Sequence, residues 1–140
     1  MSESFCTTRR IEFADTDMAG IVHFARFFVF MESAEHELLR ALGVDILSER
    51  DGRQIGWPRV AAACEYLSPA RFGDLLDIHL TVARKGHSSL TYAFAISRDG
   101  TPVARGRVTA VCCVLDDPAG VRAIRIPAAL AERLEEAPGD

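Results

Sequence analysis

One long stretch of this chain has helical periodicity, and nearly everything after it repeats every two residues. Phe24, Phe27, Phe28, Met31, Ala34, Leu38 and Leu42 recur at a spacing near 3.6 and fall on one stripe. Glu32, Glu35, Glu37 and Arg40 lie mostly off that stripe, and Gly43 supplies a C-terminal cap. Further on, Leu76, Ile78, Leu80 and Val82 alternate with Asp77, His79 and Thr81. Leu90, Tyr92, Phe94 and Ile96 alternate with Thr91, Ala93 and Ala95. Asp99-Gly100, between the second run and the next, is a hairpin signal. A helix with one apolar stripe and a sheet with one apolar face bury each other, which predicts a single α+β domain over residues 1–140.

The remaining segments fit around that pair. "TTRRIEF" reads as a short first strand and "ERDGRQIGWP" as a polar connection. Residues 102–115 form a run long enough to cross a whole sheet. "VRAIRIP" reads as a last short strand, and "AALAERLEEA" as a helical tail begun by Pro127. With 49% hydrophobic residues, the chain can build a core. A net charge of -4 argues against a nucleic-acid partner. The N-terminal residues lack the apolar core of a signal peptide, and no apolar run approaches the roughly 20 residues that span a bilayer. The expected setting is the cytoplasm. Cys6, Cys64, Cys112 and Cys113 show neither a CxxC pair nor zinc-ligand spacing, so they read as small buried thiols.

The chemistry concentrates in "FADTDMAGIVHF", where Asp15 and Asp17 stand just ahead of the helix. A calcium loop fails: its fifth position is Ala19 and its twelfth, where a bidentate Glu belongs, is Arg26. A zinc HExxH fails at Arg40. Two readings survive. Acids ahead of a helix complement its positive end, which suits Asp15. Asp17 lies between the bare backbone of Ala19-Gly20 and apolar Ile21-Val22, which suits a poorly hydrated nucleophile or general base. No GxSxG elbow, P-loop or dinucleotide fingerprint competes with it.

"IEFADTDMAGIVHFARFF", followed by "MESAEHELLRALG", resembles the 4-hydroxybenzoyl-CoA thioesterase family of hot-dog acyl-CoA thioesterases. "CEYLSPARFGDLLDIHLTVARKGHSSLTYAF" is similar to that family's central strands, and "VRAIRIPAAL" to its closing strand. The resemblance implies a long helix wrapped by an antiparallel sheet of five or six strands. It implies an acyl-CoA substrate, no metal or organic cofactor, and a homodimer or homotetramer with active sites at the subunit interface. Asp17 falls on the family's catalytic carboxylate, Asp15 on its supporting acid and Gly20 on its tight turn. His23 or Phe24 falls on the aromatic after the glycine, where many members carry Tyr-His. The family's backbone oxyanion donor is expected near residues 61–63, and N–H groups at the helix N-terminus would assist it.

An acyl pocket of Phe24, Phe27, Phe28 and Trp57 is expected, and three aromatics near the helix start favour an aryl or medium acyl group. The phosphates of CoA require local cations, for which Arg84, Lys85, His87 and Ser88 come first and Arg122 second. Two rivals stand beside the thioesterase. One is a hot-dog dehydratase or hydratase using His36 and Glu32; the other is a non-catalytic acyl-CoA-binding module.

Overall fold

A computed structural model describes residues 4–45 and 47–136. Helix α1 spans Arg26–Ala41 and buries Phe27, Phe30, Met31, Ala34, Glu35 and Leu39. The buried face is therefore wider than the expected stripe and turned slightly around the helix. Phe24 precedes the helix and is exposed, while Phe28, Leu38 and Leu42 pack at the flanks of the core. Gly43, at φ 76°, ends the helix as expected; its N–H donates to Arg40 O, and that of Val44 to Leu39 O. Arg133 donates to Leu42 O, setting a cation at the helix's negative end.

The strands are β1 (Phe5–Arg10), β2 (Ser48–Arg50), β3 (Arg53–Gly56), β4 (Arg59–Tyr66), β5 (Leu75–Lys85), β6 (Ser89–Arg98), β7 (Thr101–Val111), β8 (Cys113–Asp117) and β9 (Gly120–Ala123). A five-stranded sheet runs β1-β5-β6-β7-β4 and a four-stranded one β2-β3-β8-β9, with every pairing antiparallel. Cys112 alone separates β7 from β8, and Trp57-Pro58 separate β3 from β4. Two neighbouring strands of the larger sheet therefore continue side by side into the smaller.

The alternation reads out as expected. Ile78 pairs with Ile96, Leu80 with Phe94 and Val82 with Tyr92, all buried toward α1. Asp99 and Gly100, at φ 48° and 81°, make the turn between β6 and β7. Gly106 on β7 lets the helix come close to the sheet: a Cβ there would collide with the Met31 thioether. This packing is the α+β hot-dog arrangement.

Four expectations need correction. The first strand starts at Phe5 and stops at Arg10, because residues 13–15 close into a 3-10 turn. The polar connection is a hairpin, β2–β3, turned by Asp51 and Gly52 at φ 52° and 76°. The helical tail shortens to one turn, α2 (Ala128–Ala131), after Pro127, and its expected end at residue 137 lies outside the described residues. Of the four cysteines expected to be buried, only the adjacent Cys112 and Cys113 are; Cys64 is half-buried and Cys6, on the edge strand β1, is exposed, and burial pushes the Cys112 thiol up to about 11.

Candidate active site

Beyond β1 the backbone is held to the turn ahead of β5: Ile11 N–H donates to Asp74 O, and Gly73 N–H to Ile11 O. The 3-10 turn then swings Asp15 fully inside. Its Oδ2 accepts the Glu12 N–H at 2.8 Å. Its Oδ1 accepts Arg26 Nη2 at 2.6 Å and Nε at 3.0 Å, with Arg9 Nη2 3.6 Å away. Burial alone would raise this carboxyl; the Glu12 N–H and the two guanidiniums outweigh it and hold it below the usual carboxylate range. Asp15 is thus consumed in building the turn.

Asp17 is placed differently. It is half-buried, and its Oδ1 accepts only the Ala19 N–H, at 2.9 Å. Among the described residues no cation lies within ion-pair distance of it. Gly20, at φ 80°, tightens the turn, its N–H donating to Asp17 O. The Asp17 side of this turn opens on a cavity of about 510 Å³ lined by Ile21, Val22, Phe24, Phe27, Tyr66 and residues 67–70. The Tyr66 ring stands 6.5 Å from Phe24 and 5.6 Å from Phe27, both in edge-on contact.

The backbone at the cavity mouth carries a free donor. His23 N–H goes to Asp15 O, Ala25 N–H to His23 Nδ1 and Arg26 N–H to His23 O. Between them, the Phe24 N–H has no acceptor among the described residues. Residues 61–63, where the oxyanion donor is expected, are mid-strand on β4 and do not line this cavity.

The expected acyl-pocket residues separate. Phe24 and Phe27 line the Asp17 cavity, whereas Phe28 lines a second one of about 290 Å³ with Val29, Glu32, Glu35, Arg59 and Ala62. Trp57 lies near the far end of α1, against Val44, Ile55 and Leu130. His23 stacks on Phe24 at 4.7 Å but does not line the cavity. In the second cavity Arg59 Nη1 donates to Glu35 Oε2 at 2.9 Å and Nη2 approaches Glu32 Oε2 at 3.4 Å. Burial pushes the phenol of neighbouring Tyr92 well up, and the Glu35 carboxylate adds to the shift. Glu32 is thus engaged with Arg59, and His36 lines neither cavity.

The expected CoA cations also part company. Arg84, Lys85, His87 and Ser88 stand where β5 meets β6, and Asp17 sits by the other end of β5. An 11-residue strand puts about 33 Å between those ends, at 3.3 Å per residue. The Lys85 ammonium donates to Ala131 O at 2.7 Å and Leu134 O at 2.8 Å, fastening the C-terminal turn and leaving one N–H. Arg84 and His87 are exposed and Ser88 half-buried. Arg122 is exposed while its Nε donates to Asp117 Oδ2 at 3.1 Å. The Ala119 N–H, Arg122 and Arg53 together hold that carboxyl below its ordinary value.

Two residues at the site carried no expectation. Arg26, read only as a failed calcium ligand, is the partner that buries Asp15. Tyr66 reaches the site from the end of an edge strand; the hint was an aromatic just before the "LSP" turn. Among the described residues no three His, Cys, Asp or Glu converge as a metal site.

Residues 11–134 match the model of the thioesterase-like superfamily. A 1,4-dihydroxy-2-naphthoyl-CoA hydrolase from Synechococcus elongatus is 31% identical over 105 residues, covering 74% of this chain and 77% of that one. A solved 1,4-dihydroxy-2-naphthoyl-CoA thioesterase from Synechocystis superposes with a TM-score of 0.79 at 25% identity, over 91% of this chain and 92% of the other. A 4-hydroxybenzoyl-CoA thioesterase bound to 4-hydroxybenzoyl-CoA gives 0.82 at 21% identity, over 96% and 100%, which shows the shared fold.

Proposed function

The chain belongs to the thioesterase-like superfamily, and from that premise we propose that it hydrolyses aryl or short-to-medium acyl-CoA thioesters to the free acid and CoA, with Asp17 as nucleophile or general base. The observation that carries this reading is a half-buried carboxylate without a cation partner, in an aromatic-lined cavity that shares Phe24 with an unclaimed backbone N–H. A carboxylate already neutralised by Arg would be a poor nucleophile and a poor base; Asp17 is neither neutralised nor fully hydrated. As nucleophile it attacks the thioester carbonyl, the C–S bond breaks, CoA leaves as thiolate, and water then cleaves the mixed anhydride. As base it takes a proton from the attacking water. In both routes the Phe24 N–H stabilises the developing oxyanion.

Phe24, Phe27 and Tyr66 favour a flat aryl group, by edge and face contact with its ring. We assign the missing wall of the cavity to a second copy. One side of β4 has no strand partner, and Val60 and residues 61–63 are exposed along it, an apolar edge suited to pairing. Two-fold antiparallel pairing of β4 with itself sets Arg59 of one copy across from Tyr66 of the other and brings Trp57 toward the neighbour's Asp17. Arg84 stands at the end of β5 away from Asp17, about 33 Å along the strand, which assigns Arg84, and Arg122 with it, to the CoA of another copy, in a dimer or a tetramer. Free thiols at Cys6, Cys64, Cys112 and Cys113 suit a reducing compartment, the cytoplasm.

The test is thiol release from a panel of benzoyl-, short- and medium-chain acyl-CoAs. Asp17→Asn should lower kcat by about 10²–10⁴, the usual contribution of a positioned base or nucleophile. Equal turnover in both proteins would remove Asp17 from the chemistry.

A further inference from the structure

We propose that Tyr66 is a positioning residue: its hydroxyl holds the Phe24 carbonyl and so keeps the Phe24 N–H aimed at the thioester oxygen. This rests on the thioesterase reading above and assigns a role within that site.

Little else fixes Phe24. Helix α1 starts without a side-chain cap, since its N-cap is Ala25, and no acid stands in its first turn. The helical partner for the Phe24 carbonyl would be the Phe28 N–H, but that donates to Ala25 O at 3.2 Å. Tyr66 Oη fills the vacancy, donating to Phe24 O at 3.0 Å. Phe24 is 62% exposed, so packing does not lock it. The carbonyl and the N–H belong to the two peptide planes that meet at the Phe24 Cα. A bond to one plane restricts ψ there and narrows the direction of the other.

Tyr66 suits the task in two further ways. Its ring contacts Phe24 and Phe27, so it arrives as part of the cavity wall. Burial, with Cys64 beside it, raises its phenol, which therefore stays a neutral donor through the physiological range. The oxyanion donor is thus steadied from β4, the edge strand, more than by its own helix.

Tyr66→Phe keeps the ring and deletes the bond. Losing an oxyanion donor outright costs about 10²–10³ in kcat; loosening one should cost about tenfold, with KM for benzoyl-CoA changed less than twofold. A second measurement reads aim directly. In an Asp17→Asn background that binds benzoyl-CoA without turnover, the infrared C=O stretch of the bound thioester should lie below its value in water. Adding Tyr66→Phe should return it part of the way. An unchanged kcat together with an unchanged stretch would overturn the proposal. So would a fall in kcat matched by a fall in thermal stability at constant stretch, which marks a structural role. Turnover that is independent of Asp17, or no turnover of any thioester, would instead bring down the thioesterase reading, and this proposal with it.

Discussion

The edge strand β4 meets α1 over a cavity at each end, and the two ends manage a carboxylate in opposite ways. At the Arg59 end Glu35 is 2% exposed, yet Arg59 reaches both of its oxygens and Glu32 stands beside the pair. At the Tyr66 end Asp17 stays half-open to water and accepts one backbone N–H. The first carboxylate is neutralised and holds the helix to the strand. The second has no cation within ion-pair distance among the described residues and stays open to the cavity. Asp15 repeats the first pattern two residues from Asp17. Neighbouring acids in one turn would, on the proposed function, divide structure from chemistry.

The contrast can be broken by substitution. After the loss of turnover in Asp17→Asn, the largest effect belongs to the other end. Glu35→Ala leaves Arg59 without its main partner in a half-buried setting and should cost on the order of 2–4 kcal/mol in urea denaturation. Asp17→Asn should stay within about 0.5 kcal/mol of wild type in the same assay. A Glu35→Ala protein as stable as wild type would erase the distinction. Between the ends, Gly106→Ala forces a methyl onto Met31 and should cost about 1–3 kcal/mol. Pairing it with Met31→Ala should cost less than the sum of the two single changes.

The smallest effect is a slope. Asp15 is held below its unfolded value of about 3.9, so the unfolded chain binds its proton first as the pH drops. The stability Asp15 contributes is complete above that value and disappears as the pH falls through the folded one. Asp15→Asn should flatten the acid limb of a stability-against-pH curve; an unchanged slope would mean that the Arg26 pair does not couple to folding.

Patterns that depend on local spacing were legible in the chain. The helix, the alternating strands and the Asp99-Gly100 turn all follow from periodicity and turn chemistry. The β2–β3 hairpin hid because Ser48, Glu49, Arg53 and Gln54 are exposed or nearly so and leave no alternation, although Asp51-Gly52 carries the same turn signal. Glu35 looked like a solvent-face residue because its partner Arg59 lies on a strand 24 positions away. Lys85 looked free for the same reason, its acceptors being backbone carbonyls of the C-terminal turn. That Asp15, Asp17 and Gly20 share one turn could be read from one short motif. Tyr66 could not, since the carbonyl it donates to is 42 positions distant. Trp57 is legible as an aromatic near the core, but its place lining a cavity at the far end of α1 with Val44 and Leu130 is not.

The pairing of β1 with β5, Phe5 opposite Leu80, has a consequence for the order of assembly. Hairpins such as β6–β7 close over two residues, whereas β1 must find a partner most of a sheet away along the chain. Loop-closure entropy grows by roughly 0.6 kcal/mol per doubling of length, and contacts of high sequence separation form slowly. The strand that leads directly into the Asp15–Asp17 turn is therefore expected to dock late. Pulse-labelling hydrogen exchange should find Tyr92 and Val108 protected before Thr7. The sheet can be nearly complete before the Asp15–Asp17 turn is held in place, and a truncation that removes β1 should abolish the proposed thioester hydrolysis before it unfolds the chain.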